Sequence, residues 1–274
     1  MRPKSSTGRT LPCRILSLLL ITALGSAFLG CAGRSVVPSL PPGGGIYLSA
    51  DDALRALETS GPGDRTLTVT ARIEINAQGE RRPLKAALMM RRPARLRMET
   101  VPPLGPPDFF LSVDTGELRV FSPGNNGGSF YMGRATARNF NRFFPLPLPA
   151  ADMISLLMGQ PPGMGETSSC GEQWEEGLYR IDRCAAGEKT LSLWIDPVGG
   201  LLLRVRAFEE GGRLAHAAEF ADHTSVEQCI LPQRLTIRGE AVSLTVRYTE
   251  VRLDNDTGLF ALPIPEGIVP ISLD

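Results

Sequence analysis

The chain has only two histidines, His216 and His223, in 274 residues, and no surplus of basic over acidic side chains. Each shortage removes a class of function. Nucleic-acid binding needs a basic footprint. Here 29 Lys and Arg are matched by 29 Asp and Glu, and residues 1–30 hold four of the basic ones (Arg2, Lys4, Arg9, Arg14) and no acid, so the remainder is net acidic. No nucleic-acid partner is expected. The two histidines, with Asp222 and Cys229 nearby, match no metal-ligand spacing, so no metal site is expected. Neither histidine sits in a nucleophile–base arrangement. G-E-T-S-S-C-G (Gly165–Gly171) lacks the spacing of a nucleophile elbow. P-G-N-N-G-G (Pro123–Gly128) lacks the lysine and serine of a phosphate loop and reads as a turn. Glu172, Glu175 and Glu176 read as a solvated turn. These features argue against an enzyme and against a cofactor-dependent reaction.

There is no long apolar run either. The one candidate, Ile15 to Leu29, follows a basic stretch and falls short of the roughly 20 residues of a membrane span. It reads as a signal peptide. It ends in F-L-G-C-A-G (Phe28–Gly33), which resembles the lipobox of bacterial lipoproteins, with Phe28 where leucine is usual. That resemblance implies cleavage before Cys31, and an N-acyl diacylglycerol carried covalently on Cys31. Ala32 after the cysteine, where an aspartate would retain the protein in the inner membrane, points to the outer membrane. The expected layout is a signal peptide over 1–30, a lipidated cysteine and Pro/Gly-rich tether over 31–46, and a folded domain over 47–274, facing the periplasm. Cys170, Cys184 and Cys229 then lie in an oxidising compartment. Cys170 and Cys184 flank a turn and a strand and are candidates for a disulfide. Cys229 would be left over, and sequence alone leaves partner choice open.

S-A-D-D-A-L-R-A-L-E reads as a helix capped by Ser49, with Asp51 and Asp52 in its first turn and Ala53, Leu54 and Leu57 on one face. The period then becomes two. Leu67, Val69, Ala71, Ile73 and Ile75 alternate with polar residues, as in a half-buried strand. Further strands follow, interrupted by a helical stretch at Phe140–Phe144 and Pro149–Gly159. A slip of apolar phase between Tyr248 and Val251 predicts a bulge. The reading is a mainly β chain with a few helices: a single antiparallel open half-barrel of about eleven strands, closed by helices.

The most constrained loop is T-V-P-P-L-G-P-P-D-F-F-L (Thr100–Leu111), which holds Leu104 between four prolines. With Arg91–Gly105, Phe144–Gly159 and Leu231–Gly239, it carries a resemblance to the LolA/LolB superfamily of lipoprotein carriers and receptors. The order of these segments is similar to that of the LolB-type outer-membrane receptor and related lipoproteins. The receptor's helix-motif tryptophan is absent, with Met158 near its place, and Phe260–Ile271 is an extension. The resemblance implies a half-barrel whose apolar cavity takes acyl chains, here lined by Met89, Leu96, Met98, Phe109, Leu111, Val113, Met153 and Leu157. In any β domain the same residues would simply be core. It implies a membrane-insertion loop of Pro103, Leu104 and Gly105, with membrane lipid, lipoproteins or acyl chains and a periplasmic carrier as partners, and a monomer. A non-catalytic accessory or sensor module using the sheet for docking is the alternative. Arg95 and Arg97 point to one face, where they could meet anionic headgroups or form a soluble outer surface.

Overall fold

The computed structural model describes residues 49–124, 127–144, 146, 148–163, 167–255 and 259–274. The signal peptide, Cys31 and the tether lie outside the described residues. Two runs of antiparallel strands form one sheet. The first run is β1 (Thr66–Ala77), β2 (Glu80–Arg91), β3 (Arg95–Thr100), β4 (Phe110–Asp114), β5 (Glu117–Ser122) and β6 (Ser129–Arg134). The second is β7 (Ser168–Glu175), β8 (Leu178–Ala185), β9 (Glu188–Asp196), β10 (Leu201–Phe208), β11 (Leu214–Val226), β12 (Cys229–Arg238) and β13 (Val242–Asp254). Strands adjacent in sequence are adjacent in space, and β13 pairs with β1, joining the runs. A short strand β14 (Ile271–Ser272) pairs parallel to β6. The result is an open sheet of 14 strands that does not close into a barrel.

The mainly β, antiparallel, open architecture agrees with the sequence reading; the strand count does not. β7 and β14 are among the strands it did not anticipate. β7 was expected as a solvated turn holding Glu172 and Glu175, because an edge strand exposed on both faces has no apolar alternation to show. β14 belongs to the C-terminal extension and, among the described residues, is the single parallel element.

Alternation explains β1. Leu67, Val69, Ala71 and Ile73 are buried on the inner face, and the intervening residues face outward. The expected bulge is present: Thr70 faces Glu250, Ala71 faces Tyr248, and Thr249 is the extra residue.

Helix α1 (Ala50–Ser60) begins where Ser49 Oγ accepts the Asp52 N–H at 3.2 Å, and it buries Ala50, Ala53, Leu54 and Leu57. After the short α2 (Ala137–Phe140), the rings of Phe140 and Phe144 stack at 5.3 Å. Helix α3 (Ala150–Leu157) follows Pro149 and buries Met153, Ile154, Leu156 and Leu157. It stops at Gly159, whose φ of +71° suits glycine and whose missing Cβ would meet Pro232 at 2.7 Å. The Tyr248 hydroxyl donates to the Leu157 carbonyl at 2.5 Å, fastening α3 to the sheet. Inner-face residues of both runs and the buried faces of α1 and α3 form one hydrophobic core.

The outer face of β3–β6 carries the C-terminal segment. Phe260 and Leu262 are buried there, the Ser112 hydroxyl accepts the Leu262 N–H, and Arg119 donates to the Leu262 carbonyl, while Leu273, past β14 at the sheet edge, joins the hydrophobic core. Asp274 accepts from Arg134 N–H and from the Asn139 side chain.

Candidate functional site

The proline loop is fastened at its base. Thr100 N–H donates to the Phe109 carbonyl at 3.0 Å, and Val101 N–H donates to the Lys85 carbonyl at 2.7 Å. Thr100 Oγ1 donates to Asp108 Oδ1 (2.5 Å) and accepts from the Phe109 N–H (3.0 Å). Between these ties run Pro102, Pro103, Pro106 and Pro107, none with an N–H to satisfy, and Gly105 at φ +89°. Leu104 stands at the tip with 91% of its surface exposed. One exposed leucine is ordinary; one held out by a stiff, tied loop is a presented side chain.

Beside the loop lies a groove of about 1100 Å³. Val101, Pro102 and Pro103 contribute to its lining from the loop, and Arg72, Lys85 and Arg247 from three adjacent strands. Register sets those cations in a row: Lys85 faces Arg72, and Arg72 faces Arg247. Their neighbours Ala86, Ile73 and Val246 are buried on the opposite face, so the row is on the outer side of the sheet. Among the described residues none of the three has a carboxylate at salt-bridge distance. The groove's acids are otherwise engaged. Glu74 pairs with Arg81, whose hydrogen bond, followed by that of Asn76, holds the Glu74 carboxyl below its ordinary value. Asp108 is bound to Thr100. Four cations (Arg72, Arg81, Lys85, Arg247) thus share the groove with two acids.

The residues expected to line an acyl-chain cavity lie elsewhere. Leu96, Met98, Leu111, Val113, Met153 and Leu157 belong to the core and are 0–5% exposed. Side chains around a void wide enough for an acyl chain would expose surface to it; these are packed against one another. The inner face is therefore filled here, which corrects the expectation of an open cavity. Phe109 is half-buried against that core. Met89 is a second correction: it faces Thr68 and Arg97 on the outer side, because Leu88 and Met90 take the inward phase of β2. None of the eight lines the groove.

Arg95 and Arg97 do share the outer face, but they are occupied. Arg95 pairs with Asp114 and lies over the Phe260 ring; Arg97 pairs with Glu99 and donates to the Leu259 carbonyl. They help hold the C-terminal segment. Cys170 and Cys184 are joined in a disulfide between β7 and β8. Cys229 is buried and free; its thiol donates to the Gly61 carbonyl at 3.1 Å. Among the described residues no three His, Cys, Asp or Glu side chains gather as metal ligands. His216 is buried with Nε2 unpartnered, and burial lowers its pKa to about 4. No described helix is long and apolar enough to cross a membrane. The unpaired row Lys85–Arg72–Arg247 went unnoticed in the sequence; the outward phase of each strand was legible, but not which strands meet.

No protein-family profile matches the chain, and no curated protein matches it. Solved structures share its fold. A LolA superfamily protein from Nitrosomonas europaea superposes with a TM-score of 0.57 at 12% identity, covering 79% of this chain and 99% of that one. An outer membrane lipoprotein-sorting protein domain from Vibrio parahaemolyticus gives 0.56 at 12% identity, over 78% and 93%. A DUF1329 family protein from Desulfovibrio piger gives 0.53 at 16% identity, over 76% and 91%. The chain shares the fold of a LolA superfamily protein. Identities this low speak for the fold alone.

Proposed function

We propose that this is a non-catalytic, lipid-anchored protein of the bacterial outer membrane, facing the periplasm, that engages lipid or lipoprotein acyl chains and helps place lipoproteins in the membrane. The observation that carries the reading is Leu104, 91% exposed on a loop tied at both ends. The tether after Cys31 would hold the domain within reach of the bilayer, and a loop whose prolines lack N–H groups enters apolar surroundings at low cost. The fold shared with a lipoprotein-sorting domain supports it. Because the inner face is filled, an acyl chain can bind there only if α3 lifts and Met153 and Leu157 leave their partners.

The filled inner face also favours a second reading, in which the sheet is a docking surface of an envelope assembly and takes no chain. The test uses the full chain and its Leu104→Glu variant. Exposure predicts a stability change within about 0.5 kcal/mol, with delivery of a radiolabelled lipoprotein into vesicles lost. An unfolded variant, or undiminished delivery, overturns the role of the loop. Saturable fatty-acid binding by the full chain supports the carrier reading, and its absence leaves the docking reading.

A further inference from the structure

We propose that the groove between the proline loop and the row Lys85–Arg72–Arg247 is a binding site for the phosphate headgroup of an anionic lipid. The reasoning starts from a cost. Like charges directly opposite each other on adjacent strands destabilise a sheet. Residues so paired have Cα atoms only about 4.5–5.5 Å apart. Here that arrangement spans three strands without an acid between the cations. Several other cations of the outer face have acids of their own. Arg95 and Arg97 have Asp114 and Glu99, Arg119 has Glu117, Arg180 has Glu175 and Asp182, and Arg234 has Asp222. The row in the groove is where a free anion completes the pairing.

Two features specify that anion. Arg72 and Arg247 offer planar forks suited to two oxygens of a phosphate, and Lys85 adds a compact charge. The opposite wall, Val101, Pro102 and Pro103, is apolar, and it leads to Leu104. A ligand with an anionic head beside an apolar body fits both walls, and 1100 Å³ exceeds what a phosphate ion needs. The site lies outside the filled inner face, so a lipid headgroup held here orients the domain on a bilayer and leaves α3 in place. That the phosphate comes from a membrane rests on the reading of Leu104 above; recognition of phosphate does not.

The experiment titrates the full chain by calorimetry in non-ionic detergent micelles carrying phosphatidylglycerol or, at equal mole fraction, phosphatidylcholine, and separately with inorganic phosphate. The wild type should prefer phosphatidylglycerol. Each cation near an anionic surface is worth roughly fivefold in affinity, so Arg72→Gln with Arg247→Gln should lose about thirtyfold for phosphatidylglycerol and little for phosphatidylcholine. Unchanged phosphatidylglycerol binding in that folded double variant overturns the site. Inorganic phosphate binding as tightly as the lipid overturns the lipid headgroup as its ligand. Leu104→Glu should weaken both lipids and keep the preference between them. If it weakens neither while the double variant loses the preference, the groove stands and the membrane role of Leu104 falls.

Discussion

The outer face of the sheet handles positive charge in two ways. In the second run, Arg180, Arg204 and Arg206 lie over the ring of Trp194 at 5.2–5.5 Å, and Trp194 is 1% exposed beneath them. Arg180 is bridged to Glu175 and Asp182, and Arg204 to Glu176. Where β2, β1 and β13 meet, Lys85, Arg72 and Arg247 have, among the described residues, neither an aromatic platform nor an acid at salt-bridge distance; Glu74, bound to Arg81, feels the charge of Arg247 more weakly. Local sequence explains the difference. A strand residue shares its face with positions two before and two after. For Arg180 one of those is Asp182, and Glu175 comes from the adjoining strand. For Lys85 they are Pro83 and Ala87; for Arg72 they are Thr70 and Glu74, the last already bound to Arg81; for Arg247 they are Thr245 and, because Thr249 is the bulge residue, Glu250, which accepts from the Thr70 hydroxyl. The first cluster is closed within the protein, so its arginines serve the fold. The second is open, so its cations are available to a ligand.

If the Trp194 cluster is structural, removing its platform should be costly. Trp194→Ala should destabilise the protein by about 3–5 kcal/mol, in the range of large-to-small substitutions at buried aromatics. Urea unfolding measures this directly. A loss below about 1 kcal/mol would put both clusters on the same footing, as ordinary surface charge.

The second run also holds buried His216 on β11, whose Nε2 has no partner among the described residues, and this gives a pH signature. Burial lowers its folded pKa to about 4 from the ordinary 6.5. Between those values the unfolded chain binds a proton that the folded chain refuses. The contribution of the neutral imidazole is therefore whole above pH 6.5, falls as pH drops, and is lost through pH 4. It amounts to about 3 kcal/mol at most. His223 is shifted the same way, chiefly by burial, and adds to the slope. The urea midpoint should fall from pH 6.5 to 4.5, and His216→Gln should flatten the slope. A wild-type midpoint constant over that window would mean His216 is solvated when folded.

These two clusters also mark what was legible in the sequence. Alternation over Leu67–Ile75 announced β1 and its inner face, and the phase slip near Tyr248 announced the bulge, because both are local patterns of period two. The proline loop and the exposed position of Leu104 were equally local. The groove was not, since Arg72 meets Arg247 only through the pairing of β1 with β13, strands at opposite ends of the chain. The filled inner face was not legible either. The same alternating apolar residues can wall a cavity or form a core, and the choice depends on how far α3 sinks against them. β7 was missed because an exposed edge strand carries no apolar period, and the partners of Arg95 and Arg97 were not legible because the C-terminal segment that meets them comes from about 160 residues downstream.

The smallest effect is the most discriminating, because its sign differs between the clusters. Arg247 is flanked by Arg72 on β1 and Arg234 on β12, directly opposite it on either side. Replacing it with a neutral residue of similar length removes two cross-strand repulsions, each worth a few tenths of a kcal/mol up to about 1, and gives up a weaker attraction to Glu74. Arg247→Gln should therefore leave the protein slightly more stable, and the gain should shrink as salt shortens the screening length. Arg204→Gln, the matched change in the closed cluster, removes the bridge to Glu176 and the stack on Trp194, and should lower stability by about 1 kcal/mol. Paired unfolding curves at low and high ionic strength give both signs. If Arg247→Gln destabilises, the row is already satisfied in the free protein and has no unmet charge to offer. If it stabilises at low salt alone, the row carries repulsion in the absence of ligand, as a site that gains its counter-charge from an anion requires.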